Sequence, residues 1–215
     1  MTVATLDVHE LGFAYPGSVS PLIAGLDLAA EPGQMVAVQG KSGTGKSTLL
    51  FLLGLFIAPT GGRIAIEGLE TTRLGDAERS RLRAHRIGFV FQDAALHPTA
   101  TIEENVAEGA LYAGASYAAA LADARRLLEA YGIGHLAQRR PTQVSGGQAQ
   151  RAALCRALIR RPALILADEP TGNLDPENAR EVIKGLRVAA DEGASVVVVT
   201  HSPTVAAACD RVVDL

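Results

Sequence analysis

The chain has no tryptophan, and aromatic residues fill only 4% of its 215 positions. The core must therefore be built from Ala, Val, Leu and Ile, a palette common in α/β folds whose parallel strands are covered on both faces. There are only two cysteines, Cys155 and Cys209. They make neither a disulfide framework nor a metal spacing, which points to a reducing compartment with both as small buried fillers. Long apolar runs are also missing. The longest stretch without Asp, Glu, Lys or Arg, 193–209, contains a His and a Pro. A bilayer span needs about 20 mostly apolar residues, and residues 1–10 lack the basic start and apolar run of a signal peptide. If the protein works at a membrane, another chain must do the spanning. A net charge of −3 gives no bulk pull toward nucleic acid or anionic lipid, so no nucleic-acid partner is expected. Repeats and low-complexity tracts are absent, and charge pairs such as Arg125–Arg126 and Arg139–Arg140 read as solvated helix faces. Hydrophobic residues at 48% and charged residues at 20% fit a globular chain of one domain or two small ones.

Three short apolar runs stand out: Met35-Val-Ala-Val-Gln39, Ala163-Leu-Ile-Leu-Ala167 and Ala194-Ser-Val-Val-Val-Val-Thr200. Each is continuous rather than alternating, as expected for buried parallel strands. Helical patterns follow at 46–58, 176–192 and 203–209, and this strand–loop–helix order predicts a doubly wound α/β core. Functional groups should then gather at the carboxyl ends of the strands. The first 34 residues and 62–70, including Arg63-Ile-Ala-Ile-Glu67, read as shorter alternating strands in a separate antiparallel β layer. Residues 94–160 read instead as helices over 101–113, 117–131 and 146–160, with Thr101-Ile-Glu-Glu104 a capping box. They form an inserted α-helical subdomain (94–160) in a core spanning 1–93 and 161–215.

The strongest chemical signal is Gly40-Lys41-Ser42-Gly43-Thr44-Gly45-Lys46-Ser47-Thr48, a P-loop between a strand and a helix. Its glycines let the backbone curl so that successive N–H groups point into one concavity at a helix N-terminus. Lys46 can neutralise the β- and γ-phosphates of a nucleotide, and Ser47 can hold Mg²⁺. Asp168 and Glu169 end an apolar strand. Beside a P-loop, Asp168 can serve Mg²⁺ through water and Glu169 can polarise an attacking water. Ser145-Gly146-Gly147-Gln148 opens a helix and exposes backbone donors; taken alone it reads first as an N-cap and a turn.

Together these motifs, in order, resemble those of the nucleotide-binding subunit of ABC transporters, along the whole chain. The P-loop is followed by Phe91-Gln92, Val144-Ser-Gly-Gly-Gln148, Leu164-Ile-Leu-Ala-Asp168-Glu169, Gly172-Asn-Leu-Asp175 and Thr200-His201. The run Ala167-Asp-Glu-Pro-Thr-Gly-Asn-Leu-Asp175 is most similar to the branch that powers lipoprotein release, macrolide or antimicrobial-peptide export, and bacterial cell division. Two positions depart from the usual pattern: Val144 stands where Leu is common, and Lys41 where Pro is common. The resemblance implies a P-loop NTPase fold, ATP and Mg²⁺ as ligands, and ATP hydrolysis. By it Tyr15 would stack on adenine, Gln92 would meet Mg²⁺ and the attacking water, His201 would touch the γ-phosphate, and Glu169 would be the general base. It further implies a head-to-tail dimer of two copies, with the P-loop of one facing Ser145–Gln148 of the other. The partner is a membrane-spanning permease whose cytoplasmic helix sits in a groove near the segment after Gln92, and the place is cytoplasmic, on the inner face of the cell membrane. The expected work is export or extraction of a substrate. The alternative is a mechanical module of the cell-division kind that moves none. A DNA-repair or chromosome ATPase would need a long coiled coil between Thr48 and Ser145, and no sustained heptads occur there.

Overall fold

The computed structural model describes residues 3–41 and 43–215. In the antiparallel layer, β1 (Leu6–Phe13) buries Leu6, Val8, Leu11 and Phe13 and turns most of the remaining positions outward. It pairs on one side with β2 (Ile23–Ala30) and on the other with β4 (Gly61–Ile66), to which β5 (Leu69–Glu70) adds an edge. Gly62, at φ 75°, comes so close to β1 that a Cβ there would lie 2.3 Å from the Glu10 carbonyl oxygen. Only glycine allows that approach.

The second sheet is parallel throughout. Its order is β6 (Ile87–Val90), β7 (Leu164–Asp168), β8 (Ser195–Val199), β3 (Met35–Gln39) and β9 (Arg211–Asp214). All of β8, and all but the last residue of β3 and of β7, are buried, as their continuous apolar runs require. Helix α1 (Lys46–Leu53) is wedged between the two sheets. Its Leu49, Leu50, Leu52 and Leu53 pack on inner residues of β1 and β4 and on Val36, Val38, Leu164, Leu166, Val197 and Val199. A helix covered on both sides has no polar stripe, which explains its nearly uniform apolar sequence.

The helix expected over 46–58 ends at Leu53. The Phe56 N–H bonds back to the Phe51 carbonyl and the Leu55 N–H to that of Leu52, with Leu55 at φ 60°. That is a Schellman closure made without glycine at its left-handed position. Helix α2 (Asp76–Arg86) buries no residue, and no apolar period marks it in the sequence. Arg83 ties it down, donating to the Leu55 carbonyl at 2.7 Å and lying over the Phe56 ring at 5.0 Å.

Helices α3 (Ile102–Tyr112), α4 (Tyr117–Ala130) and α5 (Gly146–Leu158) enclose a third apolar cluster. Thr101 and Glu104 form the capping box at the start of α3. Arg125, expected on a solvated face, is half-exposed and grips the buried Glu103 carboxylate at 2.7 and 3.0 Å, while Gln138 donates to it as well. Helix α5 also faces the parallel sheet, packing Leu154, Ala157 and Leu158 with α6 (Pro176–Asp191). The short α7 (Pro203–Ala207) leads into β9. Burial pushes the Cys155 thiol up to about 12 and that of Cys209 up to about 11, which leaves both as inert packing groups. Among the described residues, no helix is long and apolar enough to cross a membrane.

Candidate functional site

Four neighbouring strands of the parallel sheet deliver the candidate groups from their carboxyl ends. β3 runs into the P-loop, β6 into Gln92, β7 into Asp168 and Glu169, and β8 into Thr200 and His201. The pairings Val90↔Ala167 and Asp168↔Val199 hold these ends level, so residues more than a hundred positions apart share one rim.

In the P-loop, Gly43 (φ 83°) and Gly45 (φ 95°) take the left-handed conformation, which turns the loop's N–H groups toward one concavity. Thr44 bonds back to the Lys41 carbonyl through both its N–H (3.3 Å) and its hydroxyl (2.9 Å). Lys46 Nζ donates to the carbonyls of Gly40 and Lys41, each at 2.9 Å, so its ammonium is held over the loop. A Cβ on Gly40 would stand 2.7 Å from the Thr44 hydroxyl, so the loop's entry is closed to larger residues. Leu22, which no motif marks, supports the loop from below: a Cβ on Gly45 would meet its side chain at 2.9 Å. Ser42, expected among the phosphate contacts, lies outside the described residues.

Thr48 is buried in the first turn of α1, and its hydroxyl bonds the Tyr15 hydroxyl at 3.0 Å. Tyr15 sits just beyond β1, packed edge-on against Phe13 and 49% exposed, so part of its ring is open to solvent beside the P-loop helix. Ser47, at the helix start, lies next to Asp168. Burial raises the Asp168 carboxyl above its ordinary range, opposed by the Ser47 hydroxyl bond and by the nearby Lys46 charge and reinforced by Glu169. A partly desolvated carboxylate beside a hydroxyl supplies hard oxygen donors, which suits Mg²⁺.

Glu169 is the most constrained residue of the rim. Its backbone is left-handed at φ 42°, a conformation costly for a residue with a side chain. Its carboxylate accepts from Thr200 Oγ1 at 3.1 Å, from the His201 N–H at 2.9 Å and from His201 Nδ1 at 2.6 Å. A carboxylate can only accept, so facing one His201 Nδ1 takes the donor role in that contact. The Glu169 side chain is 12% exposed and that of His201 74%, so the pair runs from the interior to the surface. Gln92 is exposed at the end of β6, beside the turn after Glu169: a Cβ on Gly172 would lie 3.2 Å from its amide nitrogen.

Ser145–Gln148 lies on a different element, at the start of α5. Ser145 and Gln148 close a capping box, with Ser145 N–H to Gln148 Oε1 at 2.9 Å and Gln148 N–H to Ser145 Oγ at 3.3 Å. The two glycines differ. A Cβ on Gly147 would fall 2.1 Å from Asn178 Cγ on α6, whereas one on Gly146 would meet nothing within 4 Å. Gly147 is a packing point and Gly146 an open face. Asn178 in turn holds Asp175, the N-cap of α6, at 2.6 Å. Sequence reasoning also missed Gln150 and Arg156 on α5, which bond to the backbone around Gln92; their types and positions in an Ala-rich helix carry no local signal of those partners.

A family model described as ABC transporter matches residues 23–172. Among relatives, the lipoprotein-releasing system ATP-binding protein LolD 1 of Rhodospirillum rubrum is 42% identical over 98% of this chain and 93% of its own length. LolD of Anaeromyxobacter dehalogenans is 46% identical over 92% of this chain and 83% of its own. Among solved structures, the ATP-binding cassette MJ0796, a dimer in a post-hydrolysis state bound to ADP and Pi, superposes with a TM-score of 0.88. It has 33% identity and covers 98% of this chain and 94% of that one.

Proposed function

We infer the function from one premise: the chain belongs to the ABC transporter family, as an ATP-binding, ATP-hydrolysing subunit. Its relatives are named as ATP-binding proteins of a lipoprotein-releasing system, and on that likeness this chain powers a separate membrane permease that extracts lipoproteins from the membrane. It works on the cytoplasmic side, at the inner face of the cell membrane. The nucleotide core is 1–93 with 161–215, and 94–160 is the signature subdomain, a division supported by the separate apolar cluster of α3, α4 and α5.

The backbone N–H groups from Gly40 to Thr48 and the Lys46 ammonium bind the phosphates, and the Tyr15 ring stacks on the base. Ser47, Asp168 and Gln92 would hold Mg²⁺. Bound there, the ion supplies charge neutralisation on the β- and γ-phosphate oxygens. Glu169 accepts the proton of the attacking water, and His201 contacts the γ-phosphate while its Nδ1–H keeps the carboxylate aimed. The observation that carries this reading is Glu169, left-handed and bonded to both Thr200 and His201 on the rim that also holds Lys46 and Asp168.

The working form is two copies, head to tail, with Ser145, Gly146, Gly147 and Gln148 of one closing on the ATP of the other. The open side of Gly146 supports this, as does the dimeric state of the similar cassette. A row of aromatic rings supports the permease seat. Phe51 and Phe56 are exposed at the end of α1, and Phe89 and Phe91 continue the row to Gln92, with ring centroids 6.0, 5.6 and 4.5 Å apart. Exposed rings in a chain this poor in aromatics fit an apolar helix from a partner.

The test is to trap tagged Glu169→Gln protein with ATP and identify what co-purifies from detergent-solubilised membranes. A permease that, reconstituted with this chain and ATP, releases lipoprotein is the expected result. A few-span partner bound to cell-wall enzymes would favour the mechanical alternative, and no membrane protein at all would overturn the transporter role.

A further inference from the structure

The turn that presents Gln92 is unusual in its backbone. Ala94 (φ 56°) and Ala95 (φ 47°) are consecutive left-handed residues, neither of them glycine, and the Ala95 N–H bonds back to the Asp93 carbonyl at 2.5 Å. L-residues disfavour this conformation, so something outside the turn must hold it. Its carbonyls are taken by the signature helix α5. Arg156 donates from one terminal nitrogen to the Ala95 carbonyl at 2.6 Å and from the other to that of Ala94 at 2.7 Å. Six residues earlier on the helix, the buried Gln150 donates to the Phe91 carbonyl at 2.8 Å.

An arginine spends its whole fork on two backbone oxygens here instead of on a carboxylate. Burial lowers its pKa, partly offset by Glu108 and Tyr112 of α3, so the charge is kept at a cost. Around Arg156 the helix packs closely against its neighbours. A Cβ on Gly88 of β6 would strike the Ala157 carbonyl at 2.6 Å, and one on Gly109 of α3 would strike that of Arg156 at 2.6 Å. The geometry points to Arg156, assisted by Gln150, as a positioning residue for Gln92: it holds the strained 93–95 turn so that the start of the signature helix and the amide at the reacting centre move as one body. This rests on the reading above that Gln92 serves the metal and the attacking water.

The experiment measures steady-state ATP hydrolysis by the purified chain against both ATP and Mg²⁺. It compares wild type, Arg156→Lys, Gln92→Ala, and Arg156→Lys combined with Ala94→Gly and Ala95→Gly. Lysine keeps the charge but cannot reach two carbonyls with one planar fork. The expected result for Arg156→Lys is a fall in kcat of roughly tenfold, the size of one lost charge-assisted hydrogen bond. Its KM for ATP should stay within about twofold of wild type, and the Mg²⁺ concentration for half-maximal rate should rise. Glycine accepts φ > 0 without strain, so the two glycine changes should restore most of the lost rate without an arginine. A purely structural role would lower thermal stability and ATP binding together and would not be rescued by glycine, and that outcome overturns the proposal. If Gln92→Ala hydrolyses ATP normally with unchanged Mg²⁺ dependence, both readings fall. If Gln92→Ala is defective and Arg156→Lys is not, only the role of Arg156 falls.

Discussion

At the P-loop, donors are left open: left-handed glycines turn backbone N–H groups toward one concavity, and Lys46 leans on carbonyls that an anion can replace. At the start of α5 the reverse holds, because Ser145 and Gln148 satisfy each other and Gly147 is pressed against Asn178, leaving Gly146 as the unobstructed side. The first region is built to take a ligand into the chain. The second is a finished, rigid surface suited to being offered to something outside the chain. On the function proposed above, the difference is why one copy carries both motifs without completing a site: each half is the complement of the other, in a second copy.

The largest effect is expected on the P-loop side. Glu169→Gln should lower the rate of phosphate release by at least about a hundredfold, the contribution of a positioned general base, while ATP binding persists. Wild-type turnover in that variant would remove Glu169 from the chemistry. Lys46→Ala should instead weaken ATP binding, roughly ten- to hundredfold, as read by nucleotide titration; unchanged affinity would contradict the assignment of the loop.

The two glycines of the signature sharpen the contrast further. Gly147→Ala forces Asn178 off Asp175 and should cost about 1–3 kcal/mol of folding stability in denaturant melts. Gly146→Ala should leave melting within about 0.5 kcal/mol of wild type yet reduce the ATP-dependent dimer seen by light scattering. Equal stability losses at both glycines would erase the distinction between packing point and open face.

The smallest expected effect is in pH dependence, where the two regions carry opposite signs. In the helical unit, the Arg125 bond holds the Glu103 carboxyl below its ordinary 4.5. Its stabilisation is complete above that value and is lost as pH falls through the lowered one; with Arg125 half-exposed it amounts to less than about 1 kcal/mol. In the core, burial raises Asp168 above 3.8, so stability declines as pH rises from there through the raised value. Denaturant midpoints followed across the carboxylate range should show Glu103→Gln flattening the acid-side loss and Asp168→Asn flattening the opposite slope. Parallel changes would mean that the two carboxyls share one environment.

Much of the fold was legible because its signals are local. Continuous Val and Leu runs can be buried strands, a Thr-x-x-Glu pair can cap a helix, and a strand–glycine loop–helix order implies a phosphate cradle. Helix α2 escaped because it buries nothing and so leaves no apolar period. The early end of α1 escaped because its left-handed closing residue is Leu55, where a glycine would have marked it.

The sequence by itself determined the chemical types and their order along the chain: the P-loop, the signature, the paired acids and, last, His201. Only the tertiary structure decided their partners. The grip of Thr200 and His201 on Glu169, the support of Leu22 beneath Gly45 and the fork of Arg156 on the Gln92 turn join residues 23 to 62 positions apart. Such bonds follow from strand order and helix packing, which no local pattern encodes.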